Sequence, residues 1–121
     1  MWIRAVALTT LVCALPAHAA DDPDPWLGPD KALHFSLSVG LATVGYASSM
    51  FVTDDARIRV ALGAGFALLA GAGKELLDLA GLGHPSWRDF AWDCAGTLVG
   101  VVLSVLVDQL LVAPAAGLPV W

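Results

Sequence analysis

The stretch GAGKELLDLAGLGHPSWRDFAWDCAG, residues 71–96, decides how this chain is read. It gathers Lys74, Glu75, Asp78, His84, Arg88, Asp89 and Asp93 between two long apolar runs. Gly81, Gly83 and Pro85 interrupt it, as a turn between helices does. Ser86, with Asp89 three positions on, resembles a capping box with Asp in place of Glu. One helix therefore ends before the turn and another starts after it, with their charged ends side by side.

Working outward, the chain divides into three helices, roughly 30–51, 55–80 and 86–112, joined by the turns VTDDA and GLGHP. Steps of three and four residues give each helix one face of small residues that ends in ionisable groups. The first face is Lys31, His34, Ser38, Ala42, Gly45. The second is Gly63, Ala67, Gly71, Glu75, Asp78, with Lys74 beside it. The third is Asp89, Asp93, Gly96, Gly100, Ser104. Small stripes let helix backbones approach closely, as in membrane helices. Short turns make consecutive helices antiparallel, so three charged ends share one pole: Asp30, Lys31, His34, Lys74, Glu75, Asp78, Asp89 and Asp93. At the other pole Arg57 or Arg59 is placed to meet Asp108. The expected fold is an all-α, three-helix antiparallel bundle, membrane-embedded, spanning residues 30–113 with a tail at 114–121.

Composition points the same way. The chain has 121 residues, of which 58% are hydrophobic and 14% charged, against about 25% charged in ordinary soluble domains. Mean hydropathy is +0.74. So short a chain has too little interior to hide that many apolar side chains from water. The net charge of -5 argues against nucleic acid. One feature opposes spanning: the charge-free runs of the second and third helices hold about 14 residues, where a spanning helix wants roughly 17–25, so either the ionisable groups lie near the interfaces or the bundle is a compact periplasmic one associated with the membrane.

Residues 1–19 read as an export signal, with Arg4, an apolar run, Pro16 and an Ala17-His18-Ala19 cleavage site. An acidic, proline-rich linker fills 20–29, and its Trp26 suits a membrane interface. Loss of Cys13 with the signal leaves Cys94, expected to be a buried helical thiol. An exported N-terminus places the charged pole outside the cytoplasmic membrane, with Arg57 and Arg59 inside.

Three uses of the polar pole follow from its residue types. A divalent metal (Mg, Mn or Ca) suits an oxygen-rich set with one imidazole, drawn from His34, Glu75, Asp89 and Asp93. It could activate water against a lipid-phosphate or cell-wall precursor. Metal-free acid–base chemistry would use His34 as base near Glu75 and Asp93, with Lys31 or Lys74 steadying an anion. In the third reading the cations simply neutralise Asp30, Asp78, Asp89 and Asp93 and fix helix register, since partly buried charges are usually paired. Asp30 is expected to cap the first helix, Ser86 to cap the third, His84 to be solvated, and Trp87 and Trp92 to sit at the bilayer surface. Asp93, one turn deeper than Asp89, is the leading site candidate. Partners implied are membrane lipid, and a second copy or another envelope protein.

The ordered set DKALHF, GAGKELLD and SWRDFAWDCAG resembles the YfiM family of small Gram-negative envelope lipoproteins, a family of unknown function. The likeness covers roughly residues 28–100. DKALHF and the later Asp-x-x-Gly are also loosely similar to VanZ-like membrane proteins, associated with glycopeptide resistance. The family motif falls here on Asp30, Lys31, His34, Phe35, Lys74, Glu75, Asp78, Ser86, Asp89, Asp93 and Gly96. It implies a site made of these residues and supplies no reaction. The chain departs from the family in lacking a lipobox around Cys13.

Overall fold

The computed structural model describes residues 22–119. The signal segment with Arg4, Cys13, Pro16 and His18 lies outside the described residues. Within them the chain is all-helical, with three helices and no strand.

Helix α1 is Pro29–Ser49. Gly28 is its N-cap, with extended backbone and no side-chain cap. The expectation that Asp30 caps this helix is corrected: Pro29 takes the first helical position, where its missing N–H costs nothing and its φ is preset, and Asp30 falls inside the first turn.

Helix α2 is Ala56–Leu77. Its N-cap is Asp55, whose carboxylate accepts from the Arg57 backbone N–H at 2.8 Å. It runs on through a π turn, Asp78–Leu82, to Gly81, whose φ of 100° is the left-handed geometry that ends helices.

Helix α3 is Trp87–Val107. It continues through a π turn, Asp108–Val112, into a last turn, Ala113–Ala115. Ser86 caps it, its Oγ accepting from the Asp89 N–H at 3.1 Å. Only this half of the expected capping box forms. The Ser86 N–H goes instead to Glu75 Oε2 of α2, at 2.6 Å.

The helix faces read from the sequence are the faces that pack. Lys31, Ser38 and Ala42 of α1, Gly63, Ala67 and Gly71 of α2, and Asp89, Asp93, Gly96, Gly100 and Ser104 of α3 are all buried. A Cβ on Gly96 would stand 2.2 Å from the Phe35 carbonyl oxygen, and one on Gly63 would stand 2.8 Å from that of Ala42. No side chain fits at either position, so these glycines set how closely α3 and α2 approach α1.

The interior is unusual in kind. Buried apolar residues are few (Ala42, Tyr46, Ala67, Val101 and Ala113), and the buried polar and charged ones outnumber them. The outer surface carries leucines and valines of all three helices, among them Leu37, Leu69, Leu98 and Leu110. Two helical segments, Ala56–Leu82 and Trp87–Ala115, are long and apolar enough to cross a membrane. Cys94 is exposed, which corrects the expectation of a buried thiol. It follows the inward-facing Asp93 by one residue, a step of about 100° around a helix.

Candidate functional site

Asp89 is the centre of the polar pole. It is 6% exposed and held by both other helices. Lys31 of α1 donates to its Oδ1 at 2.5 Å, and Lys74 of α2 reaches its Oδ2 at 3.2 Å. His34 Nε2 lies 3.3 Å from the same Oδ2. Lys31, only 2% exposed, also donates to Asp30 Oδ2 at 2.8 Å and to Asp24 Oδ1. Lys74 also pairs with Glu75 at 3.0 Å and Asp78 at 2.8 Å. The Asp78 pair answers the unfavourable placement of a carboxylate at a helix C-terminus.

One turn deeper, Asp93 Oδ1 faces His34 Nδ1 at 3.0 Å and accepts from Ser38 Oγ at 2.9 Å. His34 thus stands between two carboxylates, with one ring nitrogen towards each. Asp93 Oδ2 and Thr97 Oγ1 are buried and have no hydrogen-bond partner among the described residues. Asp93 Oδ2 lies against Gly71, where a Cβ would meet it at 2.6 Å.

All the residues singled out from the sequence for this pole therefore converge: Asp30, Lys31, His34, Lys74, Glu75, Asp78, Ser86, Asp89 and Asp93. His84 is exposed. Donor atoms of His34, Glu75 and Asp89 lie within 4.8 Å of one another, close enough to share a cation. Asp93 belongs to the deeper layer and is not in that set. The ammonium groups of Lys31 and Lys74 already neutralise Asp89, so the acid that would anchor a metal carries two cations of the chain itself.

The sequence reading missed the leading segment. Asp22 and Asp24 are part of the pole, not of a free linker. Asp24 Oδ2 accepts from Ser86 Oγ at 2.7 Å, and Arg88 Nη1 donates to Asp22 Oδ2 at 2.7 Å and to the Asp24 carbonyl. The hydrogen bond from Lys31 holds the Asp24 carboxyl below its ordinary 3.8, and that from Arg88 does the same for Asp22. Trp92 Nε1 donates to the Trp26 carbonyl at 2.8 Å. Trp26 meets Trp87 edge-on at 4.7 Å, and Arg88 lies over its ring. Nothing in the sequence marks this strap, because its acids alternate with prolines and lie on no helical face.

At the opposite pole Arg59, not Arg57, reaches Asp108, at 2.9 Å. Tyr46 Oη donates to the same carboxylate at 2.6 Å. Tyr46, Arg59 and Asp108 are all buried, whereas Arg57 is exposed.

No protein-family model, curated protein or solved structure matches this chain.

Proposed function

We propose that this is a small structural or assembly protein of the cell-envelope membrane. Its antiparallel helices are locked at the outward-facing pole by charge. The observation that carries the reading is Asp89, one buried carboxylate held by Lys31, His34 and Lys74 from two other helices. Such a network fixes which helices pair and in what register.

Membrane residence is supported by the inside-out distribution, with polar groups within and leucines without. Three of the four charges that bound the short charge-free runs, Arg59 on α2 and Asp93 and Asp108 on α3, are buried, and the fourth, Lys74 on α2, is partly exposed and paired with Glu75, Asp78 and Asp89. The lipid-facing apolar surface is therefore longer than the linear run. Trp26 and Trp87, exposed at the polar end, suit the headgroup level. Resemblance to the YfiM family fits an envelope protein with its polar pole outward.

The rival reading is a Mg, Mn or Ca site on His34, Glu75, Asp89 and Asp93 acting on a lipid-phosphate or cell-wall precursor. It is favoured by the closeness of the His34, Glu75 and Asp89 donors. Asp89→Ala, which removes the carboxylate both readings share, separates the two. Under the lock reading the variant accumulates poorly and unfolds more easily. Under the metal reading it folds normally and loses bound metal. Normal accumulation with no metal change overturns both.

A further inference from the structure

The strap 22–28 is attached by a few side-chain and carbonyl contacts rather than by secondary structure. Asp24 presents three acceptors in a row to the body. Its Oδ1 takes Lys31 Nζ, its Oδ2 takes Ser86 Oγ, and its carbonyl oxygen takes Arg88 Nη1. Two of those donors belong to buried residues, Lys31 at 2% exposure and Ser86 at 8%.

The Ser86 hydroxyl is committed in direction. Its oxygen accepts the Asp89 N–H, so its single proton is turned towards Asp24. This donor set also sits at the start of α3, where the helix dipole favours negative charge. Arg88 also lies over Trp26 and pairs with Asp22, contacts that belong to the strap itself.

The geometry points to the slot between Lys31, Ser86 and Arg88 as a phosphodiester-binding site, held closed by Asp24 of the chain's own leading segment. The charge that Asp24 supplies is a single one. Asp30 and Asp89 already share Lys31, so a singly charged group replaces Asp24 without excess. A phosphodiester reproduces its acceptors, with two charged oxygens for Lys31 and Ser86 and an ester oxygen for Arg88. Phosphate groups are favoured partners of helix starts and of guanidinium donors. The diester can come from an anionic lipid headgroup or from a soluble molecule.

The test uses the full chain in zwitterionic detergent. Wild type, Asp24→Ala and Asp24→Ala/Arg88→Gln are titrated by calorimetry with dimethyl phosphate and, separately, with micelles doped with phosphatidylglycerol. A strap that occupies the slot nine-tenths of the time lowers apparent affinity about tenfold. Asp24→Ala should therefore bind about tenfold more tightly than wild type, with the gain lost on adding Arg88→Gln. A gain with both probes marks a general phosphodiester site. A gain with phosphatidylglycerol alone marks a headgroup site. Equal binding by wild type and Asp24→Ala, or none by either, overturns the proposal. If Asp24→Ala loses its helical signal, Asp24→Asn replaces it, keeping the side chain's shape and removing only its charge. Failure of the folded Asp24→Asn protein to gain affinity for either probe is equally fatal.

Discussion

Replacing Asp89 by alanine removes the carboxylate shared by Lys31, Lys74 and His34, and the structure sets the size of the loss. Its carboxylate lies 2.5 Å from Lys31 Nζ, 3.2 Å from Lys74 Nζ and 3.3 Å from His34 Nε2. Removing one partner of a buried ion pair typically costs about 3–5 kcal/mol, because the other charge stays buried. Lys31 keeps Asp24 and Asp30, which places the expected loss near the low end, about 3 kcal/mol. The cap on α3 is not part of that loss. Ser86 receives the backbone N–H of residue 89, which alanine retains. At about 4–8 °C per kcal/mol for a domain of this size, the midpoint should fall by more than about 10 °C. The assay is thermal unfolding in detergent followed by helical circular dichroism. Asp89→Asn, which keeps the shape and one acceptor oxygen, should lose less. A loss below about 1 kcal/mol, the range of exposed pairs, would refute the idea that Asp89 fastens the helices.

Gly96→Ala should destabilise by at least about 1–3 kcal/mol, since its Cβ would press on the Phe35 carbonyl. Gly65→Ala, with nothing within 4 Å of its Cβ, should be neutral or up to about 1 kcal/mol stabilising through helix propensity; both are read by the same unfolding assay. Asp108→Ala leaves Tyr46 without its acceptor, while Arg59 keeps the Thr53 carbonyl and Asp54, so the loss should lie near the low end, about 3 kcal/mol, whereas Arg57→Gln stays within about 0.5 kcal/mol. The strap should loosen in acid. Asp24 is held below 3.8 by Lys31, so the attached strap binds fewer protons than the released one. Its attachment is complete above that value and fails as pH falls through the lower, attached-state value. Faster limited proteolysis of the leading segment at pH 3 than at pH 6, by an acid-active protease normalised on a peptide of residues 20–29, would show it. Equal rates would not.

Much of the fold was legible because small residues and charges recur at helical spacing. Ser38, Ala42, Gly63, Ala67, Gly71, Gly96 and Gly100 mark the contacts by size alone, and the polar pole follows from two short turns. What escaped the sequence depended on rotation or on irregular chain. Tyr46, next to Gly45 on the first face, turns in at the deep end because 3.6 residues per turn carries the face around. It thereby supplies an unforeseen partner for Asp108. Cys94 failed for the same reason in reverse, as its neighbour Asp93 takes the inward position. Asp30 lost the cap to chain geometry, since Pro29 already fits the first helical position. Asp22 and Asp24 carry no periodic signal, so their return to Lys31, Ser86 and Arg88 was visible only in three dimensions.

The most direct test of the charge lock is the unfolding midpoint of the intact wild-type protein before and after exhaustive chelation, measured beside Asp89→Ala. The lock predicts one wild-type midpoint in both states, well above that of the variant, because Lys31 and Lys74 are the cations that hold Asp89. A wild-type midpoint that falls on chelation to the level of Asp89→Ala would contradict it. The cation fastening the helices would then be a metal.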